Sequence, residues 1–552
     1  MLTAPSASRR IGRSAEPCNT SDLGRWLADN GGSFHPSLSF SAPNEDKSSE
    51  SNLMGTCVLA SGPVDKNQVL VSCTIQTAIT RQSSLDKIER LFNQIPMDKP
   101  GPNPCQNFTS AWLDRQVISL YLILTKLSIK AESLQSNPLQ ELVKHDETPA
   151  RRLVFDLFSF HKLYVSLLPP LQELTTPLFW NEAEVEKLRF TDLYPSIMER
   201  KQLWTTEYEE MMENIRRMSS VLYDYMSRYL SCGDYLWACT IITSRSFSSS
   251  LLENLNIPKV SSQTTLQKPN SIANLDLNTS SKEPTPILLP GVDTLNHKRG
   301  TKVEWRLTKS HSGLHKVQII ALEDTINLGD QVFNNYGAKP TAELILGYGF
   351  ALDEQDWMAQ NSQDADILNP DDFYTIKLAK PQESKVYSPL IKSICDRFKH
   401  KTFYHFITKV QPIPPMLLAQ LRVLVTSSQE EVDKLTQCLG DLLKAQTSSK
   451  TFTENFLTSM PPKLTWDNEL NCLDCLRSML DFKLEELNRI NHFSDQESDW
   501  KQVRNSVKRM IQIYRQGQHD ILFNALERLE SLISLATEQA VADGFAISFD
   551  ED

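Results

Sequence analysis

The sequence predicts an α+β protein: a β-rich core carrying an inserted helical segment, followed by an all-α region. Three observations predict it. Short β-branched runs bounded by turn residues lie on both sides of a long helical stretch, at Gly55–Ala60 and Gln68–Ser72 and again at Val303–Leu307 and Lys316–Leu322. Between these groups, from Gln106 to Leu230, apolar residues recur at helical spacing, as at Val117, Leu120, Tyr121 and Leu124. Beyond Trp357 the helical period continues to the end.

Composition narrows the classes. A chain of 552 residues exceeds one compact core and is expected to hold two or three domains. With 40% hydrophobic and 23% charged residues it reads as an ordinary globular protein. The formal charge of −11 disfavours direct nucleic-acid binding, which needs a basic footprint, and suits a basic partner. The ten cysteines are scattered, as in a reduced intracellular chain. Cys472 and Cys475 form the one tight pair; no second pair completes a zinc site, so they read as structural thiols and no metal is expected. No run of about 18 apolar residues signals a membrane span. Arg9, Arg10 and Arg13 give only a weak transit-peptide signal because Glu16 and Asp22 follow, so the cytoplasm is the default compartment, with the nucleus second.

In chain order, residues 1–18 are Ser- and Pro-rich and read as disordered. Leu23, Trp26 and Leu27 then predict a short amphipathic helix, capped within Thr20–Asp22 and stopped at Asn30-Gly31-Gly32. Residues 41–52 read as a loop, and the two runs at Gly55–Ala60 and Gln68–Ser72, with a Gly-Pro turn between them, as a β-hairpin. Within the helical segment, Leu167-Leu168-Pro169-Pro170 is a break; a new helix begins near Trp180, where Asn181 caps and Glu182 and Glu184 suit the positive end. Tyr235–Phe247 reads as a buried helix with Ser244-Arg245 near its end. A Ser/Thr/Asn-rich stretch at about 261–286 is a flexible insertion. Val303–Leu307 and Lys316–Leu322 predict a hairpin; His311 and His315 have metal-like spacing but no third ligand. Pro340–Leu346 predicts a short helix.

Three segments in order carry the chemistry: Asp293-Thr-Leu-Asn296-His297, Asn335-Tyr336-Gly337 and Gly347-Tyr348-Gly349-Phe350. Their order and spacing resemble SET-domain methyltransferases of the Rubisco large-subunit methyltransferase-like family, in particular its fungal-type ribosomal-protein and elongation-factor branch. The resemblance runs from about Asp22 to Leu532 and is most specific in this core. It implies a SET-domain β-fold with a knot-like crossing over 19–352, a helical insertion at about 106–250, and a helical substrate-binding domain over 353–552.

The resemblance also implies S-adenosylmethionine as cofactor, bound by Met54, Gly55, Thr56, Ser244, Arg245, Asp293, Asn296, His297 and Tyr336, with Tyr336 and Tyr348 as the catalytic pair. Arg245 would take the cofactor carboxylate, since its planar fork presents two parallel donors. A turn carboxylate is the alternative for Asp293, and a surface helix-end residue for Arg245. The sequence departs from the family pattern where Met54 replaces an acidic residue and Cys57 a glycine, so contacts there rest on the backbone. The implied activity is protein-lysine N-methylation of a basic non-histone protein, a ribosomal protein or translation factor, by a monomer. A protein-histidine methyltransferase and a catalytically weak SET-fold scaffold are the alternatives.

Overall fold

The computed structural model describes residues 20–41, 56–98, 112–133, 149–249, 285–309, 313–322, 325–352, 369–379, 389, 391–392, 403–446, 462–490 and 500–546. The expected N-terminal disorder, the loop at 41–52, most of the 261–286 insertion, Met54, Gly55 and His311 lie outside the described residues, apart from the backbone at residue 41. Two compact units emerge. The first takes the described residues up to Leu174, from Arg200 onward and up to Tyr336; the second takes Thr175–Glu199 and the chain from Gly337.

In the first unit the helix Thr20–Asp29 ends as expected, with Gly31 at φ +81°. Gly32 follows at close quarters, where a Cβ would stand 2.6 Å from the Ser72 carbonyl oxygen. The main sheet has the order Ser33–Phe34, Val69–Thr74, His315–Ala321, Val303–Lys309, antiparallel throughout. The last two strands form the expected hairpin, with Lys309 opposite His315 and Val303 opposite Ala321. The first expected hairpin does not form. Cys57–Ala60 pairs with Leu38–Ser41, while Val69–Thr74 pairs with Ser33–Phe34 and His315–Ala321. The Gly-Pro turn between the two runs permitted a hairpin, but their apolar faces, Val58, Ala60, Leu70, Val71 and Cys73, join one core that recruits strands from both ends of the unit.

The helical segment is present, with helices Asp114–Ser133, Pro149–Leu157, Lys162–Leu167, Ser220–Tyr229 and Cys232–Arg245 within the first unit. A buried ion pair ties Asp114–Ser133 and Cys232–Arg245 to Glu207 of the helix Leu193–Met218. Arg115 donates to both Glu207 oxygens at 2.7 and 2.6 Å, and the Tyr235 hydroxyl donates to the same carboxylate at 2.9 Å. Tyr235 stands on the helix that ends in Arg245, so this pair fixes the helix from which the arginine projects.

The second unit departs from an all-helical reading. A two-stranded antiparallel sheet, Tyr374–Lys377 with Tyr404–Ile407, packs in the same core as the helices Pro415–Leu424, Trp466–Arg489 and Asn505–Ala542. Its strands alternate buried and half-buried residues over only four positions, too short a signal to read against the surrounding helical period. Leu473, Leu476 and Leu480 meet Ile521, Leu522, Ala525 and Leu529 along two helix faces. Asn181 caps its helix, as the sequence predicts, and Glu184 completes a capping box with it. The Glu184 carboxylate is fully buried and binds the Arg504 guanidinium at 2.8 Å through each oxygen. Cys472 is buried in the helix Trp466–Arg489, and among the described residues no group of three or more potential metal ligands occurs. Among them, too, no helix is long and apolar enough to cross a membrane.

Candidate functional site

The site residues of the first unit meet where Asn296–His297 pairs in parallel with Phe333–Asn334, Asn296 opposite Phe333 and His297 opposite Asn334. The parallel pairing brings together two segments that the chain separates with the whole Val303–Ala321 hairpin. It ends in a tight lock. The Tyr336 amide donates to His297 Nδ1 at 3.0 Å, and the two rings stack with centroids 5.0 Å apart. Nδ1 is therefore the acceptor nitrogen, and the neutral ring carries its proton on Nε2. The Tyr336 hydroxyl donates to the Leu295 carbonyl at 2.9 Å, which leaves its oxygen lone pairs facing elsewhere as acceptors.

Asn334 holds the approach to Tyr336. Its Oδ1 accepts from the Trp305 indole at 2.9 Å and from the Asn335 amide at 2.8 Å. Both partners are donors, so the orientation of this buried amide is chemically forced. Asn335 in turn donates to the Thr301 carbonyl at 3.3 Å. Sequence reasoning passed over Asn334. Its one visible signal was its place just after the apolar pair Val332-Phe333 and before Asn335-Tyr336.

Arg245 ends its helix beside this lock. Its Nη1 donates to the Asp293 carbonyl at 3.1 Å and to Asp293 Oδ2 at 3.3 Å. The arginine side chain keeps 28% of its exposure, the aspartate 1%. Burial opposes the arginine's charge, and Asp293 together with the Tyr164 and Tyr336 phenols more than offsets it, so the guanidinium is held charged. The Asp293 carboxylate is fully engaged: Oδ1 accepts from the Gly291 amide at 3.1 Å, and Oδ2 also from the Tyr164 hydroxyl at 2.8 Å. Gly291 makes this turn with φ +85°, and a Cβ there would stand 2.4 Å from the Leu27 side chain. The Ser244 hydroxyl bonds back to the Thr240 carbonyl at 2.8 Å within its own helix. Asn296 donates to the Thr56 carbonyl at 3.2 Å, which makes Oδ1 its acceptor end and brings Thr56 to the site.

Tyr348 belongs to the second unit. The expected helix there is a single turn, Thr341–Glu343, that widens into a π-turn over Leu344–Tyr348 and stops at Gly349 with φ +81°. A Cβ on Gly349 would lie 2.9 Å from backbone atoms of Thr175 and Thr176, so close packing forces both the glycine and the early stop. Lys339 pairs with Glu343 and sits 5.4 Å from the Tyr348 ring centroid. Burial pushes the Tyr348 phenol above its usual range, so it stays protonated at neutral pH.

A scan of the sequence against protein-family models finds no match. The chain is 24% identical over 510 residues to ribosomal lysine N-methyltransferase set10 of Schizosaccharomyces pombe, covering 90% of this chain and 70% of that protein. It is 24% identical over 330 residues to protein-lysine N-methyltransferase EFM1 of Saccharomyces cerevisiae, covering 52% of this chain and half of that relative. Among solved structures, the SET domain of LSMT bound to lysine and AdoHcy aligns with a TM-score of 0.59 at 16% identity, over 93% of this chain and 90% of that one. The fold is therefore a SET fold, and the paired segments carrying Asn296, His297 and Tyr336 lie at its centre. In sequence the chain is similar to protein-lysine N-methyltransferases, and in fold to the SET domain of LSMT.

Proposed function

We propose that the chain uses S-adenosylmethionine to methylate a lysine side chain in a basic protein, with ribosomal proteins and translation factors as the leading class. The observation that carries this reading is the Tyr336 hydroxyl, fixed by its bond to Leu295 so that its oxygen is an acceptor beside the charged Arg245. The donor set fits the cofactor. Arg245 uses Nη1 alone among the described residues, and its half-buried fork offers the remaining N–H groups to a carboxylate. Asn296 offers Oδ1 to an ammonium, and Thr56 offers backbone groups at the same place. His297 joins through its main chain, its ring being committed to Tyr336. Ser244, Met54 and Gly55 complete the proposed binding set, and Asp293 enters it through Arg245.

When bound, S-adenosylmethionine supplies an electrophilic methyl and is left as S-adenosylhomocysteine. The chain's own task is to align a neutral amine, because a free lysine with a pKa of about 10.4 arrives protonated. The Arg245 charge disfavours an ammonium beside Tyr336. The Tyr336 oxygen accepts from the amine N–H and makes weak contacts to the methyl hydrogens, which holds the nitrogen in line. Tyr348 is proposed to limit how many methyl groups the nitrogen carries. No step calls for a metal.

The net charge of −11 favours a basic substrate, with an attraction that weakens as salt rises. Tyr336→Phe is expected to lose about a hundredfold or more in methyl transfer while retaining cofactor affinity, as for removal of one transition-state contact. Radiolabelled methyl incorporation into cell extract and calorimetry with S-adenosylhomocysteine measure the two. Full transfer by the phenylalanine variant would falsify the role of the hydroxyl. Mass spectrometry of the modified proteins then tests the residue type: methylhistidine without methyllysine overturns the lysine reading.

A further inference from the structure

Besides Arg245, the inserted helical segment reaches the site through the Tyr164 hydroxyl. Tyr164 is buried at 2% exposure on the short helix Lys162–Leu167, and its hydroxyl donates to Asp293 Oδ2 across 129 residues of sequence. The start of that helix is anchored from both sides. His161 sits with Nδ1 2.6 Å from the Tyr121 hydroxyl and Nε2 3.1 Å from the Thr77 carbonyl. A carbonyl only accepts, so Nε2 carries the proton and Nδ1 accepts from Tyr121. The helix Asp114–Ser133, which carries Tyr121, and the 3-10 turn Ile75–Thr77 therefore fix where Tyr164 stands.

We propose that Tyr164 is a positioning residue for the Arg245 anion clamp, acting through Asp293. A single carboxylate held by Arg245 alone would be free to rotate toward a bidentate pairing that occupies both guanidinium nitrogens. Here that rotation is blocked: the Gly291 amide holds Oδ1, the Tyr164 hydroxyl holds Oδ2, and Arg245 reaches only Oδ2 and the main-chain carbonyl through Nη1. The phenol also withdraws charge from Oδ2, so the guanidinium is steered without being neutralised. Asp293 is then no direct ligand of the cofactor, since its carboxylate is 1% exposed and each oxygen is engaged.

This inference rests on the assignment of Arg245 to the cofactor carboxylate. The test compares S-adenosylhomocysteine with 5′-methylthioadenosine, which keeps the nucleoside thioether and lacks the amino-acid end, by calorimetry on the full chain. Tyr164→Phe is expected to weaken S-adenosylhomocysteine about tenfold and methylthioadenosine less than twofold, as for one lost hydrogen bond to a charged group. In turnover, KM for S-adenosylmethionine should rise by more than kcat falls. Equal weakening of both ligands means a merely structural residue and overturns the proposal, as does no change in either. Should the variant fail to fold, Asp293→Asn must show the same selective loss for the proposal to stand. Arg245→Ala separates the two levels: if it too spares S-adenosylhomocysteine, the clamp assignment itself is wrong. If it alone weakens binding, only the role of Tyr164 falls.

Discussion

Arg245 in the first unit and Arg515 in the second are both drawn into the protein, and on the function proposed above only Arg245 receives an anion. Arg245 meets a carboxylate through one nitrogen and keeps 28% of its side chain exposed. Arg515 is completely buried and meets no carboxylate among the described residues. Its donors go to main-chain carbonyls of Lys187, Arg189, Leu487 and Ile490, and its Nε has no partner among the described residues. Burial lowers its pKa to about 10, against support from the Tyr514 and Tyr374 phenols, so at neutrality it stays charged, with main-chain carbonyls as its hydrogen-bond partners. Burial thus makes an arginine a structural pin where the backbone saturates it, whereas a single fixed carboxylate leaves part of the Arg245 fork for the anion proposed above.

The largest expected effect breaks the pin. Arg515→Met should destabilise the second unit by roughly 3–5 kcal/mol, because four carbonyls lose their donor in a closed core. Urea denaturation followed by tryptophan fluorescence measures it, and a loss under about 1 kcal/mol would mean that the carbonyls find water instead. Cofactor affinity of the folded fraction should be unaltered.

Next comes the acid response of the first unit. Burial lowers the pKa of His161 from 6.5 to about 4. The unfolded chain then binds a proton between those values that the folded chain refuses, so stability is full above pH 6.5 and falls as the pH drops toward 4. The upper bound of that loss is roughly 3 kcal/mol. His161→Gln should flatten the melting temperature across this window. In the second unit the corresponding group is Glu184. Burial raises its carboxyl, and the bonds from Arg504 outweigh that, so its pKa is depressed. Its contribution is present above the ordinary carboxylate pKa and is lost only as pH falls through the depressed value. The two units should therefore begin to weaken at different pH.

Arg245→Ala is smaller again, about 1.5–3 kcal/mol in S-adenosylhomocysteine affinity, as for loss of a hydrogen bond to a charged group. Arg245→Lys should recover only part of it, because a point charge replaces a fork. Asn296→Ala closes the series at about 1 kcal/mol by calorimetry, since it removes one neutral acceptor and the tie to Thr56. If Arg245→Ala instead destabilised the fold as strongly as Arg515→Met, the contrast between receptor and pin would collapse.

The sequence by itself determined the features that depend on a few neighbouring residues. The helix Thr20–Asp29 and its glycine stop, the Asn181 cap and the hairpin from Val303 to Ala321 were all legible, because caps, turns and amphipathic periods act over three or four positions. The linear order of Asn296, His297 and Tyr336 was legible as a pattern, and Arg245 as a partner to it. Tertiary structure alone decided which strands pair, since Cys57–Ala60 and Val69–Thr74 each had a neighbour at hand and took distant partners whose apolar faces filled one core. It also decided that Asp293 serves Arg245, that Tyr164 reaches Asp293 from 129 residues away, and that four carbonyls converge on Arg515. Such contacts leave no periodic trace. A buried hydroxyl, carboxylate or guanidinium is stable only where distant segments supply its partners, and a single residue letter does not say which segments those are.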